Sequence, residues 1–122
     1  MNPEAIHTCW SDVPEEQLNP SITRQFVTGE QTMFARLELK KGVLVPRHSH
    51  PNEQITYITQ GALRFLLGDE ASPVEKIVRA NELLVIPANL PHSAEALEDT
   101  IDFDVFAPPR QDWLSKADAY LR

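Results

Sequence analysis

Along most of this chain apolar and polar positions alternate with a period of two, the pattern of strands that bury one face. In "FVTGEQTMFARLELKKG" the alternation gives two strands around a Gly29-Glu30 turn. Met33, Ala35, Leu37 and Leu39 fall on one face of the second strand, and Phe34, Arg36 and Glu38 on the other. "QITYITQGALRFLLGDE" reads as two further strands punctuated by Gly61 and Gly68, and "EKIVRANELLVIPAN" with "DTIDFDVFAPP" adds at least three. The ten prolines lie mostly in the seams. Many short strands at close spacing predict an all-β sandwich or barrel and leave no room for helical crossovers between parallel strands. Only two segments break the rule. "VPEEQL" reads as a turn of helix, and the tail "QDWLSKADAYLR" places Trp113, Leu114, Ala117, Tyr120 and Leu121 on one helical stripe, a short C-terminal helix or tucked tail.

A length of 122 residues suits a single core, so residues 1–122 read as one domain. Eighteen acidic against eleven basic residues give a formal charge of −7 without a basic cluster, which argues against nucleic acid or anionic membrane and for a small-molecule or protein partner. The start, "MNPEAIHTCW", lacks a basic segment followed by an apolar run, and no stretch reaches the roughly 20 apolar residues needed to cross a bilayer. The expected setting is cytoplasmic. Cys9 is the single cysteine, so no internal disulfide forms.

Two of the four histidines fall in "PRHSHPNEQITYITQG". On extended backbone His48 and His50 point to the same side and make a two-toothed metal ligand. Gln54 follows four residues after His50, and Gly42 and Gly61 flank the run. That spacing resembles the first motif of the cupin superfamily, with Gln54 where most members carry Glu. "NELLVIPANLPHSAEA" resembles the second motif, with Pro87 and His92 in place. The resemblance implies a single-domain cupin, a jelly-roll-type β-barrel that holds one divalent metal ion through His48, His50, Gln54 and His92. Asn81 and Asn89 stand where the second motif usually has Gly, a mild change because Asn tolerates left-handed backbone. Ala96 replaces its closing Asn. Gln54 is the substantive departure, because a neutral amide oxygen leaves the ion's two positive charges undiminished. Glu53 is its neighbour and competitor: on a regular strand the two face opposite ways, so only one serves as ligand.

In "DTIDFDVFAPPRQDWL" period two puts Ile101, Phe103 and Val105 on one face and Asp102, Asp104 and Phe106 on the other, so the strand carries acids toward a polar cavity. From about Ile22 to Leu114 the chain resembles the KdgF group of small pectin- and alginate-degradation cupins, in the ligand run His48, His50, Gln54 and the closing segment Asp104, Val105, Phe106, Pro108, Pro109, Arg110. That resemblance implies conversion of 4,5-unsaturated uronate monomers to linear ketonised sugar acids. Asp104 is then the general acid/base, Arg110 the two-pronged holder of the substrate carboxylate, and Phe106 the wall against the sugar face. Asp102 shares Asp104's face without an assigned role. Imidazole and amide oxygen suit nickel, zinc, iron or manganese alike. Two other readings use the same residues, a metal-dependent dioxygenase and a non-catalytic sugar-acid binding protein. The resemblance also implies a homodimer, with the segment through Trp10 and the "MFARLELK" strand as the contact.

Overall fold

The computed structural model describes residues 3–122. Ten strands follow one another: β1 (Glu16–Asn19), β2 (Ile22–Thr28), β3 (Met33–Leu39), β4 (Leu44–His48), β5 (Glu53–Gln60), β6 (Ala62–Leu67), β7 (Val74–Arg79), β8 (Leu83–Ile86), β9 (His92–Ala96) and β10 (Thr100–Ala107). They form two antiparallel sheets, a six-stranded one in the order β1-β2-β3-β10-β5-β8 and a four-stranded one in the order β4-β9-β6-β7. The expected all-β single domain is what the chain adopts.

Strand alternation decides what lies between the sheets. On β3 the residues Met33, Ala35, Leu37 and Leu39 are buried while Phe34 and Glu38 are exposed, as the pattern predicts. They meet Ile58 of β5, Leu63 and Phe65 of β6, Ile86 of β8 and Ala94 of β9 in one apolar cluster. β10 alternates over its whole length, Thr100, Asp102, Asp104 and Phe106 facing in. Its place between β3 and β5 therefore carries two acids into the interior. The turns use the residues the motifs supply. Asn81 and Asn89 take left-handed φ values of 70° and 67°, the conformation expected of residues standing in for Gly. Gly61 is required for a second reason: a Cβ there would fall on the backbone oxygen of Asp99.

Two expectations need correction. "VPEEQL" is not helical: Glu16–Asn19 pairs with β2 as an antiparallel hairpin, because Arg24 on β2 grips Glu16 through Nε (3.2 Å) and Nη2 (3.1 Å). The tail is not one helical stripe either. Helix α1 (Gln111–Leu114) stops after four residues, Lys116 turns left-handed at φ 60°, and a separate 3₁₀ turn covers Ala119–Leu121. Leu114 is exposed and Ala117 with it, while Trp113 and Leu121 enter the core.

Charge, more than helical propensity, holds this tail. Arg24 is fully buried and its Nη1 donates to Asp118 at 2.7 Å, with Asp118 also fully buried. Arg122 Nε reaches the other Asp118 oxygen at 2.9 Å, and Arg24 stacks over Trp113 at 4.3 Å. Removing one partner of a buried pair strands the other charge. Asp118→Asn should therefore lower unfolding free energy by about 3 kcal/mol in urea titration. A loss below about 1 kcal/mol, the range of an exposed pair, would mean that Glu16 alone satisfies Arg24.

Candidate functional site

β4 and β9 are antiparallel neighbours, with His48 in register with His92. His50 follows two residues beyond β4, so three imidazoles gather at one end of the four-stranded sheet, one ring nitrogen of each lying within 4.8 Å of the others. Each ring is oriented the same way. Nδ1 of His48 donates to the Pro46 carbonyl at 2.7 Å, that of His50 to Asn52 at 3.0 Å, and that of His92 to Leu90 at 2.9 Å. A backbone carbonyl cannot donate, so each Nδ1 carries the proton and each Nε2 presents a lone pair. Burial, with the Arg110 charge adding to it, pushes His48 and His50 down to about 4 and lowers His92 too. The rings are neutral at physiological pH.

The six-stranded sheet faces this cluster with Gln54, Thr56, Asp104 and Phe106. Glu53 is exposed and Gln54 buried, as strand parity requires. The Gln54 amide has a determined orientation: its Nε2 donates to Thr56 Oγ1 at 2.9 Å and to Asp104 Oδ1 at 3.3 Å. Its Oε1 then points at His50 Nε2, 3.2 Å away. Two lone pairs thus face each other with no proton between them. In a buried site this arrangement costs free energy unless something positive lies between. A divalent cation meets that need, and imidazole nitrogens with an amide oxygen are donors such an ion accepts. The residues present fit a metal ion.

Around the ligands runs a cavity of about 60 Å³, lined among others by Asp102, Asp104, Phe106, Arg110, Tyr120 and Leu121. Phe106 is buried with its ring edge-on to His50, 5.8 Å between centroids. Arg110 is also buried, its guanidinium 5.0 Å over Phe106 and 4.8 Å over Trp113. Nε and Nη2 are taken by Asp112, at 2.9 and 2.7 Å, and Nη2 also donates to the Tyr120 hydroxyl. That leaves Nη1 as the guanidinium nitrogen these partners do not use. Tyr120 lines the cavity with its ring stacked on His48 at 4.6 Å. Burial raises both Asp102 and Asp104.

His48, Gln54, His92, Asp102, Asp104, Phe106 and Arg110 thus line one cavity with His50 beside it, while Glu53 is exposed on the other face of β5 and Cys9 in the N-terminal segment. Three contributors carried no such mark. Thr56 sits two positions from Gln54 and strand parity alone could have found it. Asn52 is buried, takes the His50 proton on its carbonyl and ties the loop to the Pro108 carbonyl through Nδ2 at 2.5 Å. Tyr120 arrives from a tail whose path no local pattern encodes.

A cupin domain matches residues 35–107. Among solved structures, KdgF from Halomonas sp. superposes with a TM-score of 0.79 at 25% identity, over 90% of this chain and 99% of that one. An RmlC-like cupin from Shewanella frigidimarina gives 0.80 at 21% identity, over 93% and 99%. The oxalate decarboxylase of Bacillus subtilis, a protein with Mn(II) centers, gives 0.72 at 24%, over 84% of this chain and 29% of its own. The last two likenesses speak for the fold alone. No curated protein sequence matches. With more than half its length aligned to that domain and the same two-sheet architecture in its structural neighbours, the chain belongs to the cupin family.

Proposed function

We propose that this protein is a metal-dependent catalyst that opens 4,5-unsaturated uronate monomers to linear ketonised sugar acids. The observation that carries the reading is one hydrogen bond, Gln54 Nε2 to Asp104 Oδ1, because it couples the amide facing the imidazoles to a buried carboxylate. The chain's likeness to KdgF from Halomonas sp. supports the same reaction. A divalent ion on His48, His50, His92 and Gln54 supplies Lewis-acid stabilisation of negative charge developing on a substrate oxygen.

The protein's own groups move the proton and hold the sugar. Asp104 takes the proton of the anomeric hydroxyl as the C1–O5 ring bond breaks, its electron pair going to O5. Asp104 then returns the proton to C4, leaving a carbonyl at C1 and another at C5. The reaction is an isomerisation, balanced without oxidant or reductant. Arg110 receives the substrate carboxylate through Nη1, while Asp112 keeps the guanidinium plane in place. Phe106 walls the sugar face.

Access is a condition of this chemistry. Sites for small organic ligands occupy about 300–1,000 Å³, and the cavity here is about 60 Å³. The turn carrying Tyr120 and Leu121 must therefore swing out to admit a monosaccharide, with Lys116 as hinge and the Asp118 ion pair as latch. The homodimer contact belongs on the outer face of β3 and β10, where Trp10 packs against Phe34 and Phe103; the first two residues of the N-terminal segment lie outside the described residues.

The direct test follows the ultraviolet absorbance of unsaturated uronate made in situ by a lyase. Adding the protein should speed its loss, and an unchanged rate sinks the proposal, with oxygen uptake or simple saturable binding then pointing to the other readings. His50→Ala should strip most of the metal and Gln54→Ala less of it; full occupancy in both by elemental analysis contradicts the ligand set. Asp104→Asn should lower turnover by about 10²–10⁴-fold with metal content intact; near wild-type turnover removes Asp104 from the proton transfer. Asp118→Asn, which loosens the latch, should raise kcat/KM at equal metal content. A value unchanged or lower makes the turn a permanent wall.

A further inference from the structure

Trp113, in helix α1, is buried and lines the cavity beside Arg110 and Tyr120. Its ring is hemmed in. The Arg24 guanidinium lies 4.3 Å from the ring centroid and that of Arg110 4.8 Å, while Phe106 meets it edge-on with centroids 5.0 Å apart. Its indole nitrogen, Nε1, is nevertheless buried with no hydrogen-bond partner. A buried donor left unpaired costs free energy, and native structures keep few of them, so a rigidly held one beside a cavity calls for an acceptor that arrives from outside.

Tyr120 shows which neighbours that acceptor would meet. Burial raises the Tyr120 hydroxyl above its usual value, and the indole N–H is among the groups that act on it in the opposite sense. Arg110 Nη2 donates to the same hydroxyl. The indole and the guanidinium thus flank one oxygen, which the terminal turn supplies. Asp112 limits what can replace it. Its Oδ2 lies 3.3 Å from the hydroxyl and accepts its proton, as it could not from an anion. Since Asp112 also occupies Nε and Nη2 of Arg110, an incoming carboxylate is directed to Nη1, the nitrogen Asp112 does not touch.

We propose that Trp113 is a substrate-binding residue whose Nε1–H, together with Arg110 Nη1, seats the uronate carboxylate once the terminal turn swings out. A carboxylate has two oxygens for two donors, and hydrogen bonds to an ionised acceptor are the strong ones. The inference rests on the reading of Arg110 as carboxylate holder beneath a movable turn, and it adds the second donor. It also gives the site a preference: a uronate fills both donors with charged oxygens, whereas an ester or a neutral sugar leaves them poorly paired.

The test uses zinc-loaded, full-length protein labelled with ¹⁵N at the indole nitrogens. The chain has two tryptophans, and Trp10, packed on Phe34 and Phe103, serves as the internal control. Galacturonate, a uronate without the C4–C5 double bond, should bind without turnover and shift the Trp113 N–H signal saturably downfield, with Trp10 unmoved and no such shift from galacturonate methyl ester. Saturable binding that leaves the Trp113 signal in place, or no saturable binding at all, overturns the proposal. Trp113→Phe keeps an aromatic ring beside the two guanidiniums and loses the N–H. It should bind galacturonate about tenfold more weakly at equal zinc content, with affinity for the ester unchanged, and the loss should appear in KM during turnover. Equal affinity for galacturonate overturns the proposal, as does an equal loss for acid and ester, which would mean that Trp113 acts through packing alone. If the variant does not fold, the wild-type shift decides. Because these readouts follow binding, a protein that seats galacturonate on Trp113 without opening unsaturated uronate contradicts only the proposed reaction, and one that opens it with the indole unmoved contradicts only this inference.

Discussion

Four lone pairs converge in the interior of this barrel, and among the described residues no side chain or backbone group donates to them. The imidazoles are tied off at Nδ1 by carbonyls two residues away in the chain, so their orientation is a local property of the backbone at Pro46, Asn52 and Leu90. Gln54 is turned the same way from the opposite sheet by Thr56 and Asp104. The site is therefore preorganised for a cation from both sides, and neither sheet builds it alone. Its burial, which keeps the imidazoles neutral, also raises the carboxyls behind Gln54. The neutral imidazoles and the raised carboxyls share one cause, burial.

The barrel tolerates this polar centre because the apolar cluster of Leu37, Leu39, Ile58, Leu63 and Phe65 closes one side and the C-terminal turn the other. The closure is electrostatic. Arg24, Asp118, Arg122 and Glu16 form a chain of ion pairs that joins the first hairpin to the last turn. Arg110 extends the same logic inward, with one edge spent on Asp112 to aim the other.

What could be read before folding was whatever strand parity or a short spacing encodes. His48, His50 and His92 needed only their motifs, the choice between Glu53 and Gln54 needed alternation together with the motif spacing, and Asp102, Asp104 and Phe106 needed only the period of β10. Asn81 and Asn89 were legible as left-handed positions because few residues other than Gly accept that backbone. The tail was not. Its apolar spacing mimicked a helix, yet its path is set by Arg24 and Asp118, 94 positions apart, and by Tyr120 meeting His48. No local period reports such a contact. In "VPEEQL" the expected helical turn gave way from Glu16 on to a strand paired with β2, where Arg24 grips Glu16.

The central claim is that these four lone pairs hold one ion. Anomalous diffraction from crystals grown with a divalent transition metal tests it most directly. The account predicts a single strong peak bonded by Nε2 of His48, His50 and His92 and by Oε1 of Gln54. An empty cluster, or an ion held through Nδ1 or through Glu53, would contradict it.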